Sequence, residues 1–179
     1  KAVRQAVGDD YPIMFDAFMS WDLEYAIEML KKLEPVRPFW VEEPFFPEQV
    51  SDFKKLKQST SINIATGEHV YTRYQFETLL MNDVVDILQP DPDWTGGITE
   101  LIEICRLAEK HEKQIVCHGH SLHPALHIAA AHAGTTIPWV EYLIQNLPRQ
   151  QHFHKKILWP EKGMIKLPSA PGLGIEINE

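Results

Sequence analysis

The 179-residue chain carries 17 Lys and Arg against 25 Asp and Glu, a formal charge of −8, with 44% apolar and 23% charged residues. That acidic balance argues against a nucleic-acid partner, which would favour a basic face, and the overall mix is that of a globular chain rather than a disordered or fibrous one. No apolar run approaches the ~20 residues of a membrane span, and Lys1-Ala2-Val3-Arg4 opens without the apolar stretch of a secretory signal. Cys105 and Cys117 form no CxxC pair and read as reduced thiols, so a cytoplasmic location without membrane contact is expected.

Along the chain, short apolar runs alternate with longer amphipathic stretches. Lys1 to Gly8 looks like the end of a helix. Pro12 to Asp16 reads as a strand, and Asp22 to Leu33 as a helix capped by Asp22, with Leu23, Ala26, Ile27 and Leu30 at helical spacing. Phe39 to Glu42 is the second strand, followed by a helix over Gln49 to Gln58. Ile62 to Ala65 is the third strand, with Tyr74 to Met81 helical after it. Val84 to Leu88 is the fourth strand and Gly97 to His111 an amphipathic helix. Gln114 to Cys117 is the fifth strand, Pro124 to Ala133 an Ala-rich helix, and Trp139 to Tyr142 a sixth apolar run. The tail from Pro148 to Glu179 is broken by Pro and Gly and is expected to pack on the outside of the preceding domain, residues 1–147, or on a missing cap domain.

Strand starts recur at about every 25 residues, and the strands are apolar without strict alternation, as in parallel strands covered on both faces. Such βα repeats build an open doubly wound sheet or a (β/α)8 barrel. No GxGxxG or GxxxxGK[ST] follows a strand, which removes support from the nucleotide-binding open sheets. A full barrel takes eight strands and ~250 residues. The expectation is therefore the C-terminal part of a (β/α)8 barrel with about six βα units, its first two strands outside the sequence.

Each strand runs into a polar residue: Asp16, Glu42, Glu68, Asp91, His118 and Glu141. In a barrel these positions face the site. Asp16, Glu42 and Glu68 recur at 26-residue intervals, and with neighbouring strands ~4.8 Å apart their carboxylates should gather and repel unless a cation intervenes. An all-oxygen set with open positions suits Mg2+, with Mn2+ second. Asp91 and His118 fall on the next two tips, where a carboxylate on one imidazole nitrogen would fix the tautomer and leave the other nitrogen to exchange protons. Glu141 would face the cation from the far side.

The strings Phe15-Asp16-Ala17-Phe18, Trp40-Val41-Glu42-Glu43-Pro44, Thr66-Gly67-Glu68-His69, Gln89-Pro90-Asp91, Gly96-Gly97-Ile98-Thr99 and His118-Gly119-His120-Ser121 resemble, in order and spacing, the enolase superfamily and its mandelate racemase subgroup. The likeness runs to the Pro171-to-Asn178 tail and is nearest to the acid-sugar dehydratases of the rhamnonate type. It implies Asp16, Glu42 and Glu68 as Mg2+ ligands, His118 with Asp91 as the acid/base dyad, and Glu141 as a hydrogen-bond donor to the substrate carboxylate or enediolate. Glu43 is implied to be a structural partner and His69 a residue within reach of substrate. Phe18 departs from the polar residue usual two places after the first ligand, which bears on substrate contact and not on the metal.

The chemistry so implied is removal of a proton α to a carboxylate, then loss of the β-hydroxyl as water to give a 2-keto-3-deoxy acid. Sugar acids would be the small-molecule partners, and the full-length form a homo-oligomer. Three other readings stay open. The first is a racemase or epimerase of the same subgroup. The second is a truncated, inactive barrel fragment. The third is a zinc hydrolase using His118, His120, His123 and His127.

Overall fold

The computed structural model describes residues 1–132 and 134–178; the expected helix end at Ala133 and the final residue, Glu179, lie outside the described residues. Five strands form one sheet in the order β1-β2-β3-β4-β5, all parallel: β1 Met14–Asp16, β2 Trp40–Glu42, β3 Asn63–Thr66, β4 Ile87–Leu88 and β5 Gln114–Ile115. Helix α1, Ala2–Val7, precedes the sheet. Helices α2 (Leu23–Leu33), α3 (Val50–Ser59), α4 (Thr72–Met81), α5 (Ile98–Lys110) and α6 (Leu122–Ala131) each follow a strand, and a short α7 (Leu147–Gln150) opens the tail.

Local signals set these elements. Asp22 caps α2 by accepting the Tyr25 N–H at 2.8 Å. The ladder continues past β5, with Val116 N–H donating to Leu88 O at 2.9 Å and His118 N–H to Pro90 O at 3.1 Å. Pro90 has no N–H to return, which shortens β4 and β5 relative to the apolar runs that contain them. The sixth run, Trp139 to Tyr142, forms no strand among the described residues. Ile115 N–H reaches only as far as Thr136 O, at 2.8 Å, and Pro138 removes the next donor. The chain runs beside β5 without a ladder there.

Side chains alternate across the sheet. Val41, Ile64, Leu88 and Ile115 face the helices and pack with Leu30, Phe53, Phe76 and Leu101 in the main core. Trp40, Ala65, Ile87 and Val116, with Met14 and Phe39, form the other, concave face. Cys105 and Cys117 are both buried in the helix-side core. Burial raises both thiols, Cys105 to about 12. In the tail, Leu158 packs on Leu122, Leu126 and Leu147, and the Gln151 side chain accepts the Leu158 N–H at 2.7 Å. Among the described residues no helix is long and apolar enough to cross a membrane.

Gly67 controls how β3 ends. Its φ is +151°, and a Cβ there would lie 2.5 Å from Gln89 N and 2.7 Å from Gln89 C. The missing side chain lets the tip of β3 press on β4, and the bend that follows breaks the alternation so that Glu68 turns into the rim. Gly67→Ala is expected to cost about 1–3 kcal/mol, as overpacking against backbone does, and to displace Glu68; urea denaturation of the variant measures the loss. Both thiols should resist alkylation near neutral pH in the native protein and react fully after denaturation, read as mass added per chain.

Candidate active site

The parallel register aligns the strand tips. Asp16 pairs with Glu42, Glu42 with Ala65, Ala65 with Ile87, and Ile87 with Gln114. From those positions, steps of two along each strand carry the concave face to Asp16, Glu42, Gln89, Asp91 and His118. The bend at Gly67 adds Glu68. All five of these titratable residues therefore stand at one rim.

Asp91 is fully buried at the end of β4 and holds His118 Nδ1 with Oδ2 at 2.8 Å. Its other oxygen accepts the Ser121 hydroxyl and the Asp93 N–H, each at 2.8 Å. Burial would raise Asp91, but His118, Ser121 and the Asp93 N–H overcome this and hold it below the usual carboxylate range. The His118 Nε2 faces Glu68 Oε2 at 2.9 Å. Burial acts to lower His118, and the Asp91 and Glu68 carboxylates, with Glu141 beyond, outweigh it and push the imidazole up to about 10. Trp94 lies over the same ring, centroids 5.3 Å apart.

Glu42 is buried at the tip of β2. Desolvation raises it to about 8; a hydrogen bond from Gln89 opposes this, and the nearby Glu141, Asp16 and Glu68 add to it. Asp16, the most open of the rim acids, accepts the Phe18 N–H at 2.8 Å and is raised by partial burial and by Glu68. Glu141 accepts the Gly119 N–H at 2.7 Å from the extended segment beyond α6. Its pKa is raised by burial, lowered by that N–H and by His118, and raised again by Glu68 and Asp16.

Asp16, Glu42, Glu68 and Glu141 thus influence one another across the mouth, as do Asp91 and His118 in direct contact. The trio Asp16, Glu42 and Glu68 does not close to within 4.8 Å of one another. Among the described residues the two donor groups that do are Glu43 with Glu68 and His69, and Asp91 with Asp93 and His120. Chemically the expected trio still fits a hard divalent cation: every donor is a carboxylate oxygen, and the neighbouring acids that add to the burial-driven rise of Glu42 are charge a cation offsets.

Several contacts were not derivable from strand spacing. Glu43, 1% exposed, accepts from Thr66 Oγ1 at 3.3 Å and meets His69 Nδ1 at 2.8 Å, so a second carboxylate–imidazole pair flanks Glu68. Gln89 bears on Glu42 while its own Oε1 is buried without a partner. Ser121 anchors Asp91 one turn beyond His118; the only trace of it in the sequence was its place in the His118-to-Ser121 string. His123 and His127 join neither His118 nor His120 in a donor group among the described residues, which leaves the zinc-hydrolase arrangement without its ligand set.

The whole chain, residues 1–179, matches the family model described as enolase C-terminal domain-like. It is 35% identical to a putative L-rhamnonate dehydratase of Caldivirga maquilingensis over 185 aligned positions, covering 99% of this chain and 46% of that protein. It is 32% identical to the arabinonate dehydratase of Saccharolobus solfataricus, covering 100% of this chain and 48% of that one. Among solved structures, the L-talarate dehydratase of Polaromonas complexed with Mg and L-glucarate superposes with a TM-score of 0.88 at 29% identity, covering 99% of this chain and 48% of that chain. The chain spans about half the length of the relatives it matches, the half that contains the C-terminal part of their barrel. With strand register, polar rim and family model in agreement, the chain belongs to the enolase superfamily and forms the C-terminal part of its (β/α)8 barrel.

Proposed function

We propose that this chain carries the acid/base and metal-binding half of a Mg2+-dependent acid-sugar dehydratase. The observation that carries the reading is the His118 imidazole, fixed at Nδ1 by buried Asp91 at 2.8 Å and turned with Nε2 into the carboxylate rim at Glu68, 2.9 Å away. The names of the relatives, dehydratases of rhamnonate, arabinonate and talarate, support a sugar acid as substrate without choosing among them.

Asp16, Glu42 and Glu68 would hold the ion, which when bound supplies positive charge to offset the anion that forms as the substrate's α-proton leaves. With Glu68 engaged by the ion, the carboxylate charge that raises His118 would be offset, and Nε2 of the neutral ring would take that proton. Asp91 keeps the ring in the tautomer with hydrogen on Nδ1 and stabilises the imidazolium once formed. The same nitrogen then returns a proton to the departing β-hydroxyl, releasing water and an enol that becomes a 2-keto-3-deoxy acid. Glu141, held by the Gly119 N–H, would donate a hydrogen bond to the substrate carboxylate or the enediolate.

His118→Asn is expected to lower 2-keto-3-deoxy acid formation by about a hundred- to ten-thousand-fold, the range of a lost general base, while Mg2+ binding measured by calorimetry persists. Glu42→Gln should weaken that binding. Dehydration by His118→Asn at the parental rate would refute the dyad.

One observation favours a second reading, a racemase or epimerase. The Glu43–His69 pair places another imidazole against Glu68, at 3.3 Å on the opposite oxygen from His118. Two bases on opposite faces of a substrate would exchange the α-hydrogen without losing water. Reaction in deuterium oxide separates the two: a dehydratase yields keto acid, whereas a racemase returns substrate with deuterium at Cα and no keto product.

A further inference from the structure

Three histidines outside the rim meet where the tail crosses α6. His123 lies in the first turn of α6 and is 6% exposed. His127 follows one turn later on the same helix face, the i, i+4 spacing that lets two side chains share a ligand. His154 comes from the tail and sets its ring against His123, centroids 5.1 Å apart and planes at 76°. His127 Nε2 and His154 Nδ1 are buried without a hydrogen-bond partner, a state that a buried ring nitrogen seldom keeps. His123 and His154 also line a cavity of about 330 Å3 with Asp93, His120, Gln150 and Gln151.

The separation of the His123 and His154 rings is the feature that points to a shared ligand. Two imidazoles on one tetrahedral ion, with metal–nitrogen bonds of about 2.0–2.1 Å, hold their ring centroids about 5 Å apart, close to the separation of His123 and His154. Imidazole nitrogen suits zinc and its neighbours and not Mg2+. Burial, then His154 and His127, lower the proton affinity of His123, which keeps it in the neutral form that binds a metal. The three nitrogens do not lie within 4.8 Å of one another, so binding requires rotation of the rings toward a common point.

We propose that His123, His127 and His154 bind one zinc ion, distinct from the cation of the carboxylate rim, and that this ion ties the tail to α6. The cross-link would join residues 27 to 31 positions apart in sequence, constraining the unfolded chain as well as the folded one. The inference stands apart from the proposed dehydratase chemistry and needs no activity from the chain.

The test is calorimetric titration of the 179-residue chain with Zn2+ in excess Mg2+. One equivalent should bind and raise the melting temperature. His154→Ala should abolish the site, and His127→Gln should weaken it more than about tenfold, since even an outer-shell partner of a metal is worth 10–100-fold. Asp16→Asn should leave it intact. Because His154→Ala could disturb the tail by itself, Co2+ added to the unaltered chain gives a second readout: nitrogen ligands in tetrahedral array produce strong visible d–d bands. Zinc binding that is unaffected by the histidine substitutions, binding lost in Asp16→Asn, or Co2+ without those bands would each overturn the proposal.

Discussion

The site depends on the register of the parallel sheet. Asp16 beside Glu42, Glu42 beside Ala65, Ala65 beside Ile87 and Ile87 beside Gln114 put strand ends in step. Side chains alternate with period two, so a slip of one residue in any strand would exchange its rim residue for one that faces the helices. The helix-side core of Val41, Ile64, Leu88 and Ile115 forbids that slip, because it would turn a carboxylate into apolar packing. Core packing and site geometry are therefore one constraint acting on opposite faces of the same strands.

That constraint concentrates negative charge. Four carboxylates at the mouth and Asp91 behind them share a space where burial already disfavours ionisation, which accounts for Glu42 standing near 8. His118 is the counter-charge, bonded to Asp91 on one nitrogen and Glu68 on the other. The two contacts differ in setting. Asp91 has both oxygens fully engaged and no exposure, so it works as a fixed orienting group. Glu68 sits on the bend after Gly67 between two imidazoles, His118 and His69.

Much of this was legible beforehand because strand tips repeat at the βα period, and residues at that period must share a rim whatever the details of the loops. Thus Asp16, Glu42, Asp91 and His118 could be grouped from spacing alone. Glu68 could be grouped too, but not its orientation, which rests on the +151° φ of Gly67 and its contact with Gln89. The sixth run misled because its apolar residues resemble a strand, while Pro138 withdraws the donor that a ladder would need. The Glu43–His69 pair was hidden by the turn after β2, where Glu43 takes a φ of 41° and turns back under the rim.

The amino-acid order by itself determined the βα repeat, the class of the sheet and which titratable side chains stand at its carboxyl edge, because each follows from hydrophobic periodicity and fixed spacing; the family was legible only through the resemblance of its motif strings. Only the tertiary structure decided which of those side chains touch. That Glu68 engages His118, that Ser121 and Asp93 complete the shell of Asp91, and that His154 from the tail meets His123 on α6 are contacts between segments 30 to 50 residues apart or set by a local bend. Their geometry depends on loop conformation and packing, which no periodicity encodes.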